Sequence, residues 1–287
     1  MDWEDAVTED RIWEGNVAGR PCYIHRDHRW ALAIALRELG EALPLTLVTF
    51  DAHTDLLEPS STCKGDLEQA LREGPTVERV ADICQRKLSR NDDDWILAGM
   101  ELGMVRHAVA LGVSHWAQGL RDLTEYLDHR GVRHGIAVVG HPGEEFEYQG
   151  KLSDVVRSGE LAHLWSLLGW SWEGTVFGFE DLAEPIWLDV DLDAFAVKWE
   201  EFLFPWPEEV WSKRYHVPSG YFSTKGWTGR KFFQQLVKRA RLITISTEPD
   251  CCGGDAKALR ILKDLSRHLL SQEDEVPIDL SMEYDGR

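Results

Sequence analysis

Three of the five residues from 51 to 55 carry side chains that bind metal ions. Asp51, His53 and Asp55 occupy alternate positions directly after the apolar run 45–50. That run predicts a buried strand because it is rich in β-forming residues and is bounded by a proline. While the chain stays extended, alternate side chains project to the same side. The strand therefore delivers two carboxylates and one imidazole to its carboxyl end, where ligands bind in open α/β sheets.

A second cluster of carboxylates lies far along the chain. Asp189, Asp191 and Asp193 alternate with apolar residues and follow the run 185–188, which again predicts a strand. Ionised carboxylates inside a hydrophobic run are costly to bury unless a counter-charge or a metal offsets them. A solvated strand edge is the alternative, but the apolar residues on both sides argue against it. Two distant strands thus indicate the same kind of site.

Two histidines lie upstream of both clusters. The segment 23–36 predicts a strand end or turn that runs into an apolar helix, with His28 at the helix start. Either His25 or His28 is placed to reach a metal. The alternative is a pair of solvated loop histidines, and the presence of the two aspartate clusters argues against it.

Four motifs, in order, resemble those of the arginase/deacetylase superfamily. The segment 27–34 looks like the part of arginases that carries their first histidine, and 51–55 matches their Asp-Ala-His-x-Asp motif. Residues 189–191 look like their Asp-Val-Asp motif. The run 243–249 resembles a late strand that ends in a glutamate facing the substrate. The set extends from about residue 20 to about residue 250.

The chain also departs from standard arginases. The second aspartate motif continues as Leu192-Asp193-Ala194-Phe195 rather than to Leu-Asp-Pro, and the usual double glycine before the first histidine is absent. This form is similar to a divergent UPF-type branch that includes peptide arginases, which convert arginine side chains in ribosomally made peptides to ornithine. The loops that grip the α-amino and α-carboxylate groups of free arginine are not recognisable, which counts against that substrate.

The resemblance implies two metal ions. The implied ligands are Asp51 and Asp189 as bridges, His28 and Asp55 in one site, and His53 and Asp191 in the other. Four carboxylates and two imidazoles form a hard, oxygen-rich set that suits Mn²⁺. A mononuclear zinc deacetylase would need only an Asp-x-His and one later Asp, so the additional ligands favour two ions. The family pattern gives Asp193 no ligand role, and we expect it to support the site or the structure.

The implied chemistry is metal-assisted hydrolysis of a guanidinium group to urea and a primary amine. Arginine's guanidinium is always charged near neutral pH, and Glu248 is the candidate to bind it. A simple turn carboxylate before Pro249 is the alternative for that residue. A proton shuttle for the leaving amine is also expected. His115 and His141, each after an apolar strand run, both stay open for that role.

The length of 287 residues allows one large domain with a substantial core. Strand runs alternate with helical patterns, which predicts an α/β fold whose mostly parallel sheet has helices on both faces. The resemblance makes this the three-layer arginase-like architecture. Helices are predicted at 29–40, 66–73, 94–106, 117–129, 231–240 and 255–270. We expect one catalytic domain over 1–287, with an insertion near 142–180 and an acidic, solvated tail from about residue 272.

The net charge of −19 disfavours nucleic acid and anionic membranes as partners. It suits a cationic substrate, such as an arginine-containing peptide. Thirteen tryptophans either pack in the core or line a peptide groove. The odd number of cysteines without zinc spacing, and the lack of an apolar signal or membrane-length run, predict a cytoplasmic protein with free thiols. A homo-oligomer stays open.

Three functions therefore remain from the sequence. The first is a manganese-dependent peptide arginase that produces ornithine and urea. The second is an agmatinase-like or deacetylase-like amidohydrolase on the same fold. The third is a non-catalytic binding protein. All six candidate metal ligands are present, which counts against the third.

Overall fold

The structure is a computed structural model that describes residues 7, 11–89, 91, 93–113, 123–140, 185–199, 202–206, 229–270 and 279–284. Its strands are β1 Ile12–Val17, β2 Arg20–His25, β3 Leu45–Phe50, β4 Val105–Val113, β5 Glu125–Leu127, β6 Arg133–Gly140, β7 Ile186–Asp191, β8 Ala196–Trp199, β9 Phe202–Pro205, β10 Ala240–Ser246 and β11 Asp279–Tyr284. Its α-helices are α1 Trp30–Leu39, α2 Ser61–Glu73, α3 Val77–Arg86, α4 Trp95–Glu101, α5 Gly229–Arg239, α6 Pro249–Cys252 and α7 Asp255–Leu265.

Within these residues, nine strands form one sheet in the order β11-β1-β2-β10-β7-β3-β4-β6-β5. The six strands from β2 to β6 in this order run parallel to their neighbours, while β11, β1 and β5 pair antiparallel at the two edges. Strands β8 and β9 form a separate antiparallel hairpin. The predicted α/β class and mostly parallel sheet are therefore confirmed.

Helices cover both faces of the sheet. Leu47 of β3 packs into a buried cluster that includes residues of α1, α2, α3 and α4. Val48 and Phe50 of the same strand pack into a second cluster, which includes residues of α5 and α7. A strand that is buried on both faces reads as a continuous apolar run, which is why 45–50 lacks the alternation of a half-exposed strand.

Several predicted elements differ in the structure. The predicted tail contains β11, which pairs with β1 along the sheet edge, because Leu280, Met282 and Tyr284 alternate with polar residues as a strand requires. The helix predicted at 117–129 is wrong where it is described, since 125–127 form β5. Helix α4 ends at Glu101, earlier than predicted, and helix α3 was missed. The insertion near 142–180 lies outside the described residues.

The parallel register brings the ends of four neighbouring strands together. Asp189 of β7 lies opposite Thr49 of β3 on one side and Thr244 of β10 on the other. Ser246 at the end of β10 lies opposite both Asp191 and His25. The residues that follow these strands therefore converge at one edge. None of the helices described is long and apolar enough to cross a membrane.

Candidate metal centre

Backbone hydrogen bonds between the segments that contain β2 and β10 continue past the ends of these two strands. The amide of Thr247 donates to the carbonyl oxygen of His25 at 2.9 Å, and that of Glu248 to Arg26 at 3.1 Å. The amide of His28 then donates to Oε1 of Glu248 at 3.2 Å. These bonds join the start of α1 to the end of β10. They place His28 and Glu248 side by side at the carboxyl edge of the sheet.

His28 is fully buried and lies among four carboxylates. Its Nε2 lies 2.6 Å from Oδ2 of Asp189. Its Nδ1 lies 3.2 Å from Asp55, 3.2 Å from Asp191 and 3.6 Å from Asp51. One edge of the imidazole ring thus meets a single carboxylate, and the other edge meets three, of which two follow β3 and one ends β7.

Among the described residues, three groups place ligand atoms within 4.8 Å of one another. These groups are His28 with Asp51 and Asp55, Asp51 with His53 and Asp193, and His28 with Asp191 and Glu248. Asp51 belongs to the first two groups. An aspartate shared between two adjacent groups is the arrangement expected of a bridging ligand between two ions.

Asp193 enters the centre because the chain turns at the end of β7. Residues 192–195 form a 3₁₀ turn, which begins with the amide of Asp193 donating to Oδ1 of Asp191 at 2.9 Å. Oδ1 of Asp193 then accepts from the amide of Ala52 at 3.0 Å, and Oδ2 lies 2.7 Å from Nδ1 of His53. The turn therefore directs Asp193 towards the segment after β3.

Asp189 lies deeper in the sheet and belongs to none of the three groups. Its Oδ2 accepts from Nε2 of His28 and, at 2.7 Å, from the hydroxyl of Thr49. Its Oδ1 accepts from the hydroxyl of Thr244 at 2.5 Å, and Trp187 donates in turn to Thr244 Oγ1 at 2.8 Å. Both oxygens of this buried carboxylate are therefore engaged by protein donors.

Burial and mutual repulsion control the charges in the centre. Burial raises the pKa of Asp51 well above its usual value, and nearby Asp55, Asp193 and Asp191 raise it further. Burial and then Asp193 raise the pKa of Asp191 to about 7. In the metal-free protein these carboxylates retain protons more readily than exposed ones. Cations at the same place would take over the role of those protons.

The pKa values of two histidines in the centre are also raised, which for a histidine favours the charged form. Burial alone lowers the pKa of His28, but the charge of Asp189 and the hydrogen bonds that His28 donates to Asp189, Asp191 and Asp55 outweigh it and raise the pKa well above its usual value. Burial also lowers the pKa of His53, and Asp193 outweighs it, so that the pKa rises to about 9. The centre as a whole is strongly cation-attracting.

Backbone strain is concentrated at two of these residues. Asp55 has a φ of 49° and Glu248 a φ of 24°, both in the left-handed region that non-glycine residues seldom adopt. Such conformations persist where the surrounding structure imposes them, and they cluster at functional sites. Trp95 helps to hold Asp55, because its indole nitrogen donates to Oδ2 at 2.7 Å while its ring packs 4.6 Å from the His28 ring.

The centre opens to solvent on the side of two residues. The side chain of His53 is 30% exposed, and Glu248 is half-buried. His28, Asp51, Asp55, Asp191 and Asp193 are all buried. Solvent therefore reaches the centre past His53 and Glu248.

The structure brings together all six sequence-predicted metal residues and Glu248. It adds Asp193, Thr49, Thr244 and Trp95, of which only Asp193 had a sequence signal, namely its alternation with the other aspartates. His25 is buried, but its Nδ1 hydrogen-bonds the carbonyl oxygen of Asp27 at 2.9 Å, and it belongs to none of the ligand groups. The shuttle candidates His115 and His141 lie outside the described residues.

The donors fit a pair of hard divalent cations. Oδ2 of Asp51 is buried and accepts no hydrogen bond from any described residue, so no hydrogen bond compensates its desolvation. Carboxylate oxygens with a minority of imidazole nitrogens suit Mn²⁺ or a similar ion better than a thiophilic one. These properties support a metal centre without identifying the ion.

No protein-family model matches the chain, and no curated protein matches it. Among solved structures it is similar to proclavaminate amidino hydrolase from Streptomyces clavuligerus, with 16% identity over 85% of this chain and 60% of that one, at a TM-score of 0.37. It is also similar to agmatine ureohydrolase of Thermoplasma volcanium, with 13% identity over 83% and 58% at 0.35, and to a hypothetical agmatinase from Burkholderia thailandensis, with 13% over 83% and 55% at 0.31. The chain thus aligns with less than two thirds of each neighbour. Likeness at this level assigns neither family nor activity.

Proposed function

We propose that this protein is a two-metal hydrolase that acts on the guanidinium group of an arginine side chain in a peptide, giving ornithine and urea. The observation that carries the proposal is the sharing of Asp51 between two adjacent ligand groups. One group would hold a single ion, as in many hydrolases. Two groups with a common carboxylate provide for a pair of ions that act on one water and one substrate.

The proposed ligands differ from those that the resemblance implies at Asp189, Asp191 and Asp193. His28, Asp51 and Asp55 would hold the first ion, with Asp191 at 3.2 Å from His28. Asp51, His53 and Asp193 would hold the second. Asp193 thus becomes a ligand, and Asp189 does not, because protein donors already occupy both of its oxygens. We propose Mn²⁺ as the ion.

Bound ions would supply a Lewis acid and lower the pKa of water in the centre towards neutrality. The residues of the chain position the reactants. Glu248 is the carboxylate that is half-exposed at the opening, and its Oε1 is anchored by the amide of His28. A carboxylate in that position binds the planar, permanently charged guanidinium at the edge of the centre.

Trp95 and the backbone keep the geometry of the first group. The indole nitrogen of Trp95 holds Asp55, and the packing of its ring restricts the His28 imidazole. Because these side chains are buried, water cannot reach the centre from the side that faces the core. Water and substrate therefore meet at the outer side of the centre, between His53 and Glu248.

Exposed apolar side chains near the opening support a peptide substrate over a free amino acid. The hairpin β8–β9 begins three residues after Asp193 and packs against α6, which directly follows Glu248. It exposes Phe202 by 60% and Phe204 by 48%. Aromatic faces bind peptide backbones and cationic side chains, and exposed apolar groups near a site indicate a binding surface.

The test is urea release together with metal content. Purified protein is loaded with Mn²⁺ and given an arginine-containing peptide, free arginine, agmatine or an acetyl-lysine peptide, in separate reactions. We expect two ions per chain and urea from the peptide. Urea from agmatine alone would support the agmatinase-like alternative, and acetate release would support the deacetylase-like one. No bound metal would contradict the proposal.

A matched pair of variants ties the activity to the centre. Asp51→Asn removes the shared ligand and should abolish both urea release and metal binding. Asp82→Asn changes an aspartate that is paired with Arg86 on the surface of α3, and it should leave both unchanged. Full activity in the Asp51 variant would refute the two-metal mechanism.

A further inference from the structure

Asp189 is a fully buried carboxylate beside the centre, and it belongs to none of the ligand groups. It lies opposite Thr49 and Thr244 inside the sheet, two residues before Asp191. Two residues of a strand correspond to about 6.6 Å along its axis, so Asp189 lies below the level at which the ligand groups converge. An ionised carboxylate at such a position requires dedicated partners.

The partners of Asp189 are three donors from three different segments. Nε2 of His28 and the Thr49 hydroxyl approach Oδ2, while the Thr244 hydroxyl approaches Oδ1. The indole nitrogen of Trp187 donates to Oγ1 of Thr244, which leaves the proton of that hydroxyl for Asp189. The carboxylate is thereby held in one orientation.

That orientation determines which nitrogen of His28 carries a proton. An ionised carboxylate only accepts hydrogen bonds, so the 2.6 Å contact requires a proton on Nε2. In neutral imidazole, the lone pair then lies on Nδ1, which faces Asp51, Asp55 and Asp191. A lone pair that points at three carboxylates is repelled by them unless a proton or a metal ion lies between, and a metal ion at that place would take the position of the proton.

We propose that Asp189 is a positioning residue for the metal centre: it holds the His28 ring with Nε2 protonated, so that Nδ1 is presented as the nitrogen ligand of the first ion. This inference rests on the proposed function, since it concerns the same ion. Carboxylate partners of this kind orient metal-binding histidines and raise their basicity. The Trp187–Thr244 and Thr49 contacts extend the support into the sheet, where the backbone is rigid.

The role predicts an effect on one ion only. Asp189→Asn keeps the volume of the side chain but removes its charge, and its amide group would meet a threonine hydroxyl or His28 as a competing donor. We expect the affinity for the first ion to fall by about 10- to 100-fold, as for other carboxylate partners of metal-binding histidines. The second ion, held by Asp51, His53 and Asp193, should keep its affinity.

Calorimetric titration with Mn²⁺ separates these outcomes, with circular dichroism to check folding. Loss of the first ion with retention of the second supports positioning. Loss of both ions in a folded variant would show that Asp189 is itself a bridging ligand. Unchanged affinity for both would show that it has no influence on His28. Either of the last two results overturns the inference.

Threonine variants keep the test decisive if Asp189→Asn does not fold. Thr49→Val and Thr244→Val each remove one hydroxyl from Asp189, and we expect about a 2- to 10-fold loss at the first ion, the value of one hydrogen bond. Thr46→Val is the matched control, because Thr46 is also buried in β3 but projects to the opposite face of the sheet. Equal effects of all three variants would contradict a specific role.

A metal-independent measurement distinguishes this inference from the proposed function. In the metal-free protein, the buried Nε2 proton of His28 should give a slowly exchanging imidazole N–H resonance in the NMR spectrum, assigned by its absence in His28→Gln. Asp189→Asn should shift or remove it, and Thr46→Val should not. If wild-type protein binds no metal but shows this behaviour, the proposed function fails and the Asp189–His28 pairing stands. If the resonance is insensitive to Asp189, the inference fails.

Discussion

Replacement of Asp193 by asparagine separates the two ions of the proposed centre. Asparagine keeps the oxygen that accepts from the amide of Ala52, so the turn after β7 should survive. It removes the charge of the oxygen that lies 2.7 Å from His53. Asp193 belongs to the group with Asp51 and His53, and to neither of the two groups that contain His28. The variant should therefore lose the second ion and keep the first.

The size of the effect follows from linkage. A ligand at 100 times its dissociation constant stabilises the folded state by about 2.7 kcal/mol. For a chain of this length, 1 kcal/mol raises the melting temperature by about 2 °C. Each ion should therefore contribute about 5 °C, and two ions about 10 °C, at saturating concentration. The Asp193→Asn variant should retain about half of the shift.

The assay compares thermal unfolding in a chelator with unfolding in excess Mn²⁺, alongside metal analysis of the dialysed protein. Asp82→Asn serves as the control, because its aspartate lies on the surface of α3, and it should show the full shift. A full shift and two ions in Asp193→Asn would show that Asp193 is no ligand. Loss of the entire shift would show that the two groups do not bind independently, and the division of the centre would be refuted.

Three further changes test other parts of the molecule. Asp51→Asn should bind neither ion, yet in a chelator it should be at least as stable as the wild type. Burial and three neighbouring carboxylates raise the pKa of Asp51, so an ionised Asp51 destabilises the metal-free fold at neutral pH. A lower melting temperature than wild type in the chelator would contradict this. Glu248→Gln should keep both ions and lower kcat/KM by about 10- to 100-fold, the value of one charged hydrogen bond, as measured by urea release; loss of metal would instead make Glu248 a ligand. Asp128→Asn should lower the free energy of unfolding by about 2 kcal/mol at neutral pH in denaturant titrations, because Arg130 and Val132 donate to this buried carboxylate. Glu125→Gln is the control: its side chain is exposed in β5, and the change should cost less than about 0.5 kcal/mol.

The pH dependence of the Asp128 effect has a definite sign. Burial alone would raise the pKa of this carboxyl, but the amide of Val132, together with Arg130 and His134, holds it below its usual value. The stabilisation is thus present above the unfolded-state pKa of about 3.9 and is lost as the pH falls through the lower folded value. The difference between wild type and Asp128→Asn should shrink below about pH 4, and a constant difference would contradict this assignment.

Much of the site follows from local pattern. Alternation after the buried strand β3 predicts that Asp51, His53 and Asp55 meet at its carboxyl end, and the structure places all three in groups that could hold a metal ion. This prediction needs only the sequence, because residues at every second position of an extended chain point to the same side. The apolar run at β7 predicts its strand for the same reason, since burial on both faces requires continuous hydrophobicity.

The same parity rule does not distinguish among the three aspartates at the end of β7. Alternation treats Asp189, Asp191 and Asp193 as equivalent, and the family motif selects the first two. In the structure the strand ends at Asp191, and the 3₁₀ turn carries Asp193 to His53 while Asp189 remains inside the sheet. Residue spacing could not predict this turn, because contacts with the distant segment after β3 stabilise it.

The sequence by itself determined the α/β class, the parallel core of the sheet and the set of residues that meet at its carboxyl edge, because these depend on local periodicity and burial. Only the tertiary structure decided which of the carboxylate oxygens accept hydrogen bonds from protein donors. Thr49, Thr244 and Trp95 act on Asp189 and Asp55 across distances of 40 to 140 residues along the chain. Such partnerships depend on strand order and register, which no single segment encodes.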